Sequence, residues 1–194
     1  MAKRLFDLFF SCLGLLFLCP FFILIAILVK LDSPGPVFFR QERVGRSFHP
    51  FRIFKFRTMI ANAFSQDSLI TVEGDPRITR IGKYLRRHKI DELPQLINVL
   101  MGDMSLVGTR PEMKKYVELF RQDYEKLLRS RPGITGPAAI AFFREENILS
   151  ASLDAEKDYI EKVLPEKIRL ALAYTESPSL LKDIKLILLT IFKI

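Results

Sequence analysis

Tryptophan is absent from these 194 residues, and cysteine and histidine occur twice each. Both cysteines, Cys12 and Cys19, lie inside an apolar run without a partner on the soluble side, which argues against a disulfide framework. Adding His49 and His88 does not assemble a structural zinc site. Any bound metal would be hard and oxygen-ligated, Mg²⁺ or in its place Mn²⁺. A Walker loop and a GxGxxG are both missing, against a P-loop or Rossmann enzyme. So is any Ser-His-Asp or Cys-His arrangement. No run of lysine and arginine interleaved with aromatics resembles a known nucleic-acid module, so no nucleic-acid partner is expected.

What is present is unevenly distributed. Nearly half the residues are apolar (49%) and mean hydropathy is positive, yet 27% are charged, which implies segregation into apolar and charged stretches. The net charge of +8 favours anionic partners, and phosphates and a membrane surface suit it best. The length fits one soluble-sized domain plus a membrane element.

From Leu8 to Val29 there are 22 residues without a charge. As a straight helix they reach about 33 Å, enough for a hydrocarbon core of about 30 Å. A signal peptide fits poorly: the run is too long, and Lys30-Leu31-Asp32-Ser33-Pro34 follows in place of a small-residue cleavage site. A spanning helix fits the length. Against it, Pro20 removes a backbone hydrogen bond near the centre, although membrane helices tolerate proline. Both flanks are also basic, with Lys3 and Arg4 before and Lys30, Arg40, Arg43 and Arg46 after. Basic flanks mark the cytoplasmic side, and a re-entrant hairpin satisfies both where a span satisfies one. Hydropathy leaves the two open.

Beyond the run, residues 33–36 form a turn, and 37–39 and 51–56 read as short strands. Arg52, Lys55 and Arg57 on the second strand are either solvated cations or a row facing a phosphate. Residues 62–77 read as a loop with a turn at Gly74-Asp75-Pro76, and 78–89 as a basic helix or helical turn. Residues 113–129 read as one helix with a core stripe of Tyr116, Val117, Phe120, Tyr124, Leu127 and Leu128. Residues 131–137 make a tight loop, and 155–174 a helix broken or kinked at Pro165. The last helix carries Leu180, Leu181, Ile184, Ile187, Leu188 and Ile191 on one face, for packing or for the membrane interface.

The chemistry concentrates in Ile90–Glu112, IDELPQLINVLMGDMSLVGTRPE. Asp91 reads either as the N-cap of a helix running to Leu100, with Pro94 in its first turn, or as a reactive carboxylate. Neighbours on a helix point about 100° apart, so Asp91 and Glu92 would divide roles, one attacking phosphorus and the other holding a metal or orienting the attacked group. Arg110 is held extended before Pro111 and offers a fork to phosphate; a surface pair with Glu112 or Asp103 is the alternative. Gly102 and Gly108 permit close approach of backbone to ligand.

The chain resembles the bacterial sugar transferases, the monotopic phosphoglycosyl transferases. The matching pieces are the apolar run with Pro20, FKFRTM (Phe54–Met59), the Ile90–Glu112 block, RPGITG (Arg131–Gly136) and LLKDIKLILLTI near the C-terminus. They cover essentially the whole chain, at a size that suggests the minimal catalytic unit without extra spans. The resemblance implies an α+β, mostly helical fold. Residues 1–32 would form a re-entrant helix-break-helix hairpin with its break at Pro20. Residues 33–194 would form a catalytic domain with short strands and interfacial amphipathic helices, on the cytosolic face of the bacterial inner membrane.

It also implies a reaction: a UDP-sugar gives its phosphosugar to Asp91, UMP leaves, and a polyprenyl phosphate such as undecaprenyl phosphate takes the phosphosugar. Glu92 maps as partner to Asp91. The pair would hold Mg²⁺, Arg110 would bind phosphate, and Lys55 and Arg86 would line the site beside Arg57. Membrane lipids are the implied surroundings, and a homo-oligomer is left open. The chain departs from the family at Cys19-Pro20, where Ser-Pro is common, and at Gly108-Thr109-Arg110-Pro111, where GPRP is common. It departs again at PAAIAFFREENILS after RPGITG, where Arg144, Glu145 and Glu146 stand in for the usual Gln- and Asn-containing segment. Two other classes compete: a catalytically silent membrane adaptor for a glycan assembly complex, and a basic amphipathic protein that only binds anionic lipid. Intact Asp91, Glu92 and Arg110 favour the enzyme.

Overall fold

The uncharged run lies within a single helix, α1 (Ala2–Asp32), that continues through Pro20. A proline lacks only its own N–H, so it removes one ladder bond and leaves the rest. The expected break is therefore not an interruption of this helix. The computed structural model describes residues 2–60, 70–72 and 74–193; most of the loop expected at 62–77 lies outside them.

After α1 the chain forms an antiparallel hairpin, β1 (Phe38–Val44) and β2 (Pro50–Phe56), with Phe38 opposite Phe56 and Val44 opposite Pro50. The first strand is longer than its apolar start suggested, because Arg40, Glu42 and the residues between them extend the ladder. Next come α2 (Arg80–Arg87), a 3₁₀ turn (Ile90–Glu92), α3 (Gln95–Met101) and β3 (Ser105–Val107). Two short helices, α4 (Lys114–Leu119) and α5 (Arg121–Leu127), lead to β4 (Gly133–Thr135), which pairs parallel with β3. Five helices close the chain: α6 (Pro137–Ala141), α7 (Glu145–Ser150), α8 (Ala155–Asp158), α9 (Leu164–Glu176) and α10 (Leu180–Lys193). The fold is mostly helical with a few short strands, as expected.

Several boundaries differ from expectation. The helix expected over 113–129 divides at Phe120, whose φ of −122° and ψ of 38° leave the helical region. A π turn (Tyr159–Val163) absorbs the irregularity ahead of Pro165, which then occupies the first turn of α9, where its missing N–H is harmless. The loop at 131–137 contains β4, and glycine makes that pairing possible: a Cβ on Gly133 would lie 2.0 Å from the nitrogen of Gly108.

The largest core packs Tyr116, Val117, Tyr124, Leu127, Leu164 and Ile168. A second holds Ile25 and Val29 of α1 against Phe56 and Leu85. Polar ties fasten α1 at both ends. At its start Lys3 pairs with buried Asp183, Arg4 Nη1 donates to the Val99 carbonyl (2.8 Å) and Asp7 Oδ1 accepts from the Leu106 N–H (3.1 Å). At its end Asp32 Oδ2 accepts from the Ile81 N–H (2.9 Å), and Arg57 donates to the carbonyls of Val29, Ser33 and Pro34. One domain therefore holds both ends of a helix about 46 Å long.

Candidate active site

Asp91 and Glu92 lie in the 3₁₀ turn ahead of α3, after Lys89 in a left-handed conformation (φ 53°). Asp91 does not cap α3, which starts four residues later behind Pro94. Buried Asn98 on α3 fixes the distance to the hairpin: its Oδ1 accepts from the Phe54 N–H and its Nδ2 donates to the Arg52 carbonyl, both at 2.9 Å. Lys55 thereby faces the turn, and its Nζ donates to Glu92 Oε1 at 2.8 Å. Arg110, beyond β3, meets the same carboxylate bidentately, with Nη1 donating to Oε2 at 3.0 Å and Nη2 to Oε1.

The adjacent carboxylates thus have opposite surroundings. Glu92 is saturated. Burial alone would raise its pKa, but Arg110 and then Lys55 outweigh burial and hold it well below the usual carboxylate range. Asp91 is 6% exposed, and its Oδ1 has no hydrogen-bond partner. Burial pushes the Asp91 pKa up, Lys55 opposes this, and the charge of Glu92 adds to it. The same burial lowers Lys55 despite Glu92, whereas Glu92 raises Arg110.

Both carboxylates line a cavity of about 1320 Å³, together with Lys55, Arg86, Lys89 and Arg110. Arg86 donates to Glu146 Oε1 (2.6 Å from Nη2) and to Thr58 Oγ1 (3.3 Å). The structure brings Asp91, Glu92, Lys55 and Arg110 together, with Arg86 at the margin. Arg57 borders the cavity but spends its guanidinium on the carbonyls at the end of α1. Arg144 is exposed and outside the lining. Pro20 is exposed on α1.

Sequence reasoning missed a second charged cluster on the same cavity. Glu112 accepts from Lys167 Nζ (3.0 Å) and the Tyr159 hydroxyl (2.8 Å) and pairs with Arg43 at 3.6 Å. Glu112 stood in the quoted block, but Lys167 and Tyr159 carry no local signal; the fold of α9 and the π turn delivers them. Among the described residues no three or more His, Cys, Asp or Glu gather as a ready metal cage. Asp91 offers one unpaired hard oxygen, while both oxygens of Glu92 already accept from Lys55 or Arg110. In chemical terms the site presents one buried carboxylate with a free oxygen beside cations that already grip an anionic group.

A family model described as bacterial sugar transferase matches residues 1–194. The chain is 40% identical over 198 residues to a UDP-glucose:undecaprenyl-phosphate glucose-1-phosphate transferase of Escherichia coli (strain K12), a match covering all of this chain and 40% of that protein. It is 43% identical over 143 residues to a UDP-N-acetylgalactosamine-undecaprenyl-phosphate N-acetylgalactosaminephosphotransferase of Aeromonas hydrophila, covering 71% of this chain and 33% of that one. It is 45% identical over 149 residues to the exopolysaccharide production protein PSS of Rhizobium leguminosarum bv. phaseoli, covering 73% and 74%. The chain thus spans 40% or less of the length of the first two.

Proposed function

The chain belongs to the bacterial sugar transferase family, and from that premise we propose that it transfers a sugar 1-phosphate from a UDP-sugar to a polyprenyl phosphate, as the first membrane step of glycoconjugate or polysaccharide assembly. The observation that carries this reading is the unpaired oxygen of buried Asp91 near Lys55, on a cavity that Arg110 also lines. An Asp91 oxygen bonds to the sugar-bearing phosphorus, the bond from that phosphorus to the bridging oxygen breaks, and UMP leaves with the bridging oxygen and its electron pair. A phosphate oxygen of the polyprenyl phosphate then bonds to the same phosphorus, and the Asp91 oxygen leaves as carboxylate. Lys55 and Arg110 neutralise the phosphate charge, which is most of what phosphoryl transfer asks of a protein.

Glu92 stores those two cations in geometry. Carboxylate and phosphate both accept a guanidinium fork, so the arms are already aimed when the donor arrives. Mg²⁺ fits Asp91 as its sole protein carboxylate, since this ion keeps waters and takes its other ligands from substrate phosphates. Bound there, it would neutralise phosphate charge. In this reading Asp91 carries the metal and Glu92 holds Lys55 and Arg110.

The membrane reading is that α1 dips into the cytosolic leaflet of the inner membrane and returns, bending at Pro20. Ties at Lys3, Arg4 and Asp7 on one end and Asp32 on the other, all to the same domain, support a common side for both ends. Intact-protein mass spectrometry with UDP-glucose and Mg²⁺, without lipid, tests the covalent step. The expected result is one added phosphosugar on the native protein and none on Asp91→Asn. Turnover to lipid without any adduct, under single-turnover sampling, would replace it by direct transfer.

A further inference from the structure

Lys55 and Arg110 are held by Glu92, and Arg86 by Glu146. Lys89 lines the same cavity and is held by no carboxylate. Among the described residues its ammonium forms no ion pair and no hydrogen bond, and it stands 5.5 Å from the centre of the Phe143 ring. Phe143 is buried and borders the cavity. It follows α6, whose Ile140 carbonyl accepts from Lys193 at the end of α10 (2.6 Å), and Lys193 stands 5.8 Å from the same ring. The ring is thus part of a tied wall, and the Lys89 arm rests on it.

The backbone beneath that arm is strained. Lys89 has φ 53° and ψ 19°, a left-handed conformation in which a Cβ crowds the carbonyl oxygen and which glycine adopts without that cost. Its N–H donates to the Arg86 carbonyl (3.1 Å), and its carbonyl accepts from the Glu92 N–H (3.2 Å). The residue therefore ends α2 and opens the turn that carries Asp91. Strain of this kind gathers at sites where it is used. Glycine would make the same turn; lysine adds a cation two residues from the reactive carboxylate. Its charge acts on Asp91 and on Glu92.

We infer that Lys89 binds the exchanging phosphate of the reaction: the phosphate of UMP as it leaves, and the phosphate of the polyprenyl acceptor as it enters. The inference rests on the proposed transfer. In-line displacement puts the departing oxygen opposite Asp91, and the acceptor oxygen that later displaces Asp91 arrives from that same side. One place therefore serves two partners in turn, while the sugar-bearing phosphorus stays. Lys55 and Arg110, locked on Glu92, suit the group that stays. An ammonium on a four-carbon stem, resting on an aromatic face, reaches a phosphate without leaving a carboxylate unpaired, and it returns when the phosphate departs. The step moves no proton from Lys89. As the bridging bond breaks, its electron pair goes to the UMP phosphate, and Lys89 compensates that charge.

The test uses UMP and uridine as inhibitors of the native protein in detergent, with UDP-glucose as donor and undecaprenyl phosphate as acceptor. Both inhibitors carry base and ribose; only UMP carries the phosphate. Lys89→Met is expected to raise the inhibition constant of UMP about tenfold, as loss of a hydrogen bond to a charged group does, and to leave that of uridine in place. It should also slow both half-reactions about tenfold: phosphosugar adduct formation without lipid, and discharge of the adduct by undecaprenyl phosphate. Lys89→Gly separates charge from backbone. It relaxes the left-handed turn and is expected to keep Tm near the native value, yet to lose UMP affinity as Lys89→Met does. Lys89→Arg should recover part of the loss. Native UMP affinity and native rates in Lys89→Gly would mean that the residue serves only the turn, which overturns the inference. Slower transfer with unchanged UMP affinity would place Lys89 at the phosphate that stays on Asp91, and a loss confined to one half-reaction would deny the shared place; each overturns it as well. No turnover by the native protein sinks the proposed reaction instead.

Discussion

Glu92 and Glu112 are both buried carboxylates gripped by two cations, and they border the same cavity. Their cations differ in accessibility. Lys167 and Arg43, which hold Glu112, expose 6% and 16% of their side chains, whereas Lys55 and Arg110, which hold Glu92, expose 18% and 29%, so the contrast lies in Lys167 and Arg110. Their neighbours differ as well: Glu92 follows a carboxyl with a free oxygen, and Glu112 accepts a further bond from Tyr159. The lesson is that a buried ion cluster is a site only where an incoming anion can reach the cations and find something to react with. By that standard the Glu92 cluster is machinery and the Glu112 cluster is a brace tying β1 and α9 to the segment behind Arg110.

The largest effect should come from Asp91, which distinguishes the two clusters. Asp91→Asn is expected to lower transfer by at least about 10⁴-fold, as loss of a nucleophile does. It should also stabilise the fold at neutral pH. Because burial raises its pKa, Asp91 favours folding most in its protonated form, and this benefit is lost as pH rises through the folded value. Asparagine carries no charge to desolvate, so Tm should rise by about 2–4 °C for each kcal/mol recovered. A Tm that falls at pH 7 would mean the Asp91 carboxylate is paired in the native protein, and the contrast with Glu112 would weaken.

Glu92→Gln comes next. It leaves Lys55 and Arg110 without their carboxylate, and removing one partner of a buried pair costs about 3–5 kcal/mol. Transfer should fall strongly as the cations lose their aim. The decisive measurement is KM for UDP-glucose alongside thermal stability. A variant that is less stable yet has unchanged kinetics would reduce Glu92 to a brace like Glu112.

The sequence made part of this legible and concealed the rest for identifiable reasons. Asp91, Glu92 and Arg110 lie close enough along the chain, with Pro111 fixing the arginine backbone, for a local motif to carry them. The terminal helix followed from the spacing of its apolar face, and α2 falls within the basic helix or helical turn expected over 78–89. Arg57 misled because alternation along a strand gives its face but not its partners, and the carbonyls at the end of α1 are more than twenty residues away in sequence. Asp91 did not cap a helix because Lys89 takes a left-handed turn that no lysine propensity signals. The Glu112 brace was invisible because its lysine and tyrosine arrive through the packing of α9, a contact across 55 and 47 residues.

Glu112→Gln should have the smallest effect on chemistry and a clear one on acid stability. Burial would raise the Glu112 pKa, yet Lys167 and Arg43 overcome it and depress the value below that of the unfolded chain. A depressed carboxylate contributes stability that is present above its unfolded pKa, near 4.3, and is lost as pH falls through the folded value. Native protein should therefore lose stability on acidification, and Glu112→Gln should start lower at pH 7 by about 3 kcal/mol and lose less on the way down. Glutamine keeps an acceptor for Tyr159 and Lys167, and Lys167 retains Glu145 at 3.2 Å, so Arg110 stays close to its place. Transfer in the folded fraction should drop by no more than about tenfold. A loss as deep as that of Glu92→Gln, in protein shown folded at the assay temperature, would make the two clusters one catalytic unit and end the distinction between brace and machinery.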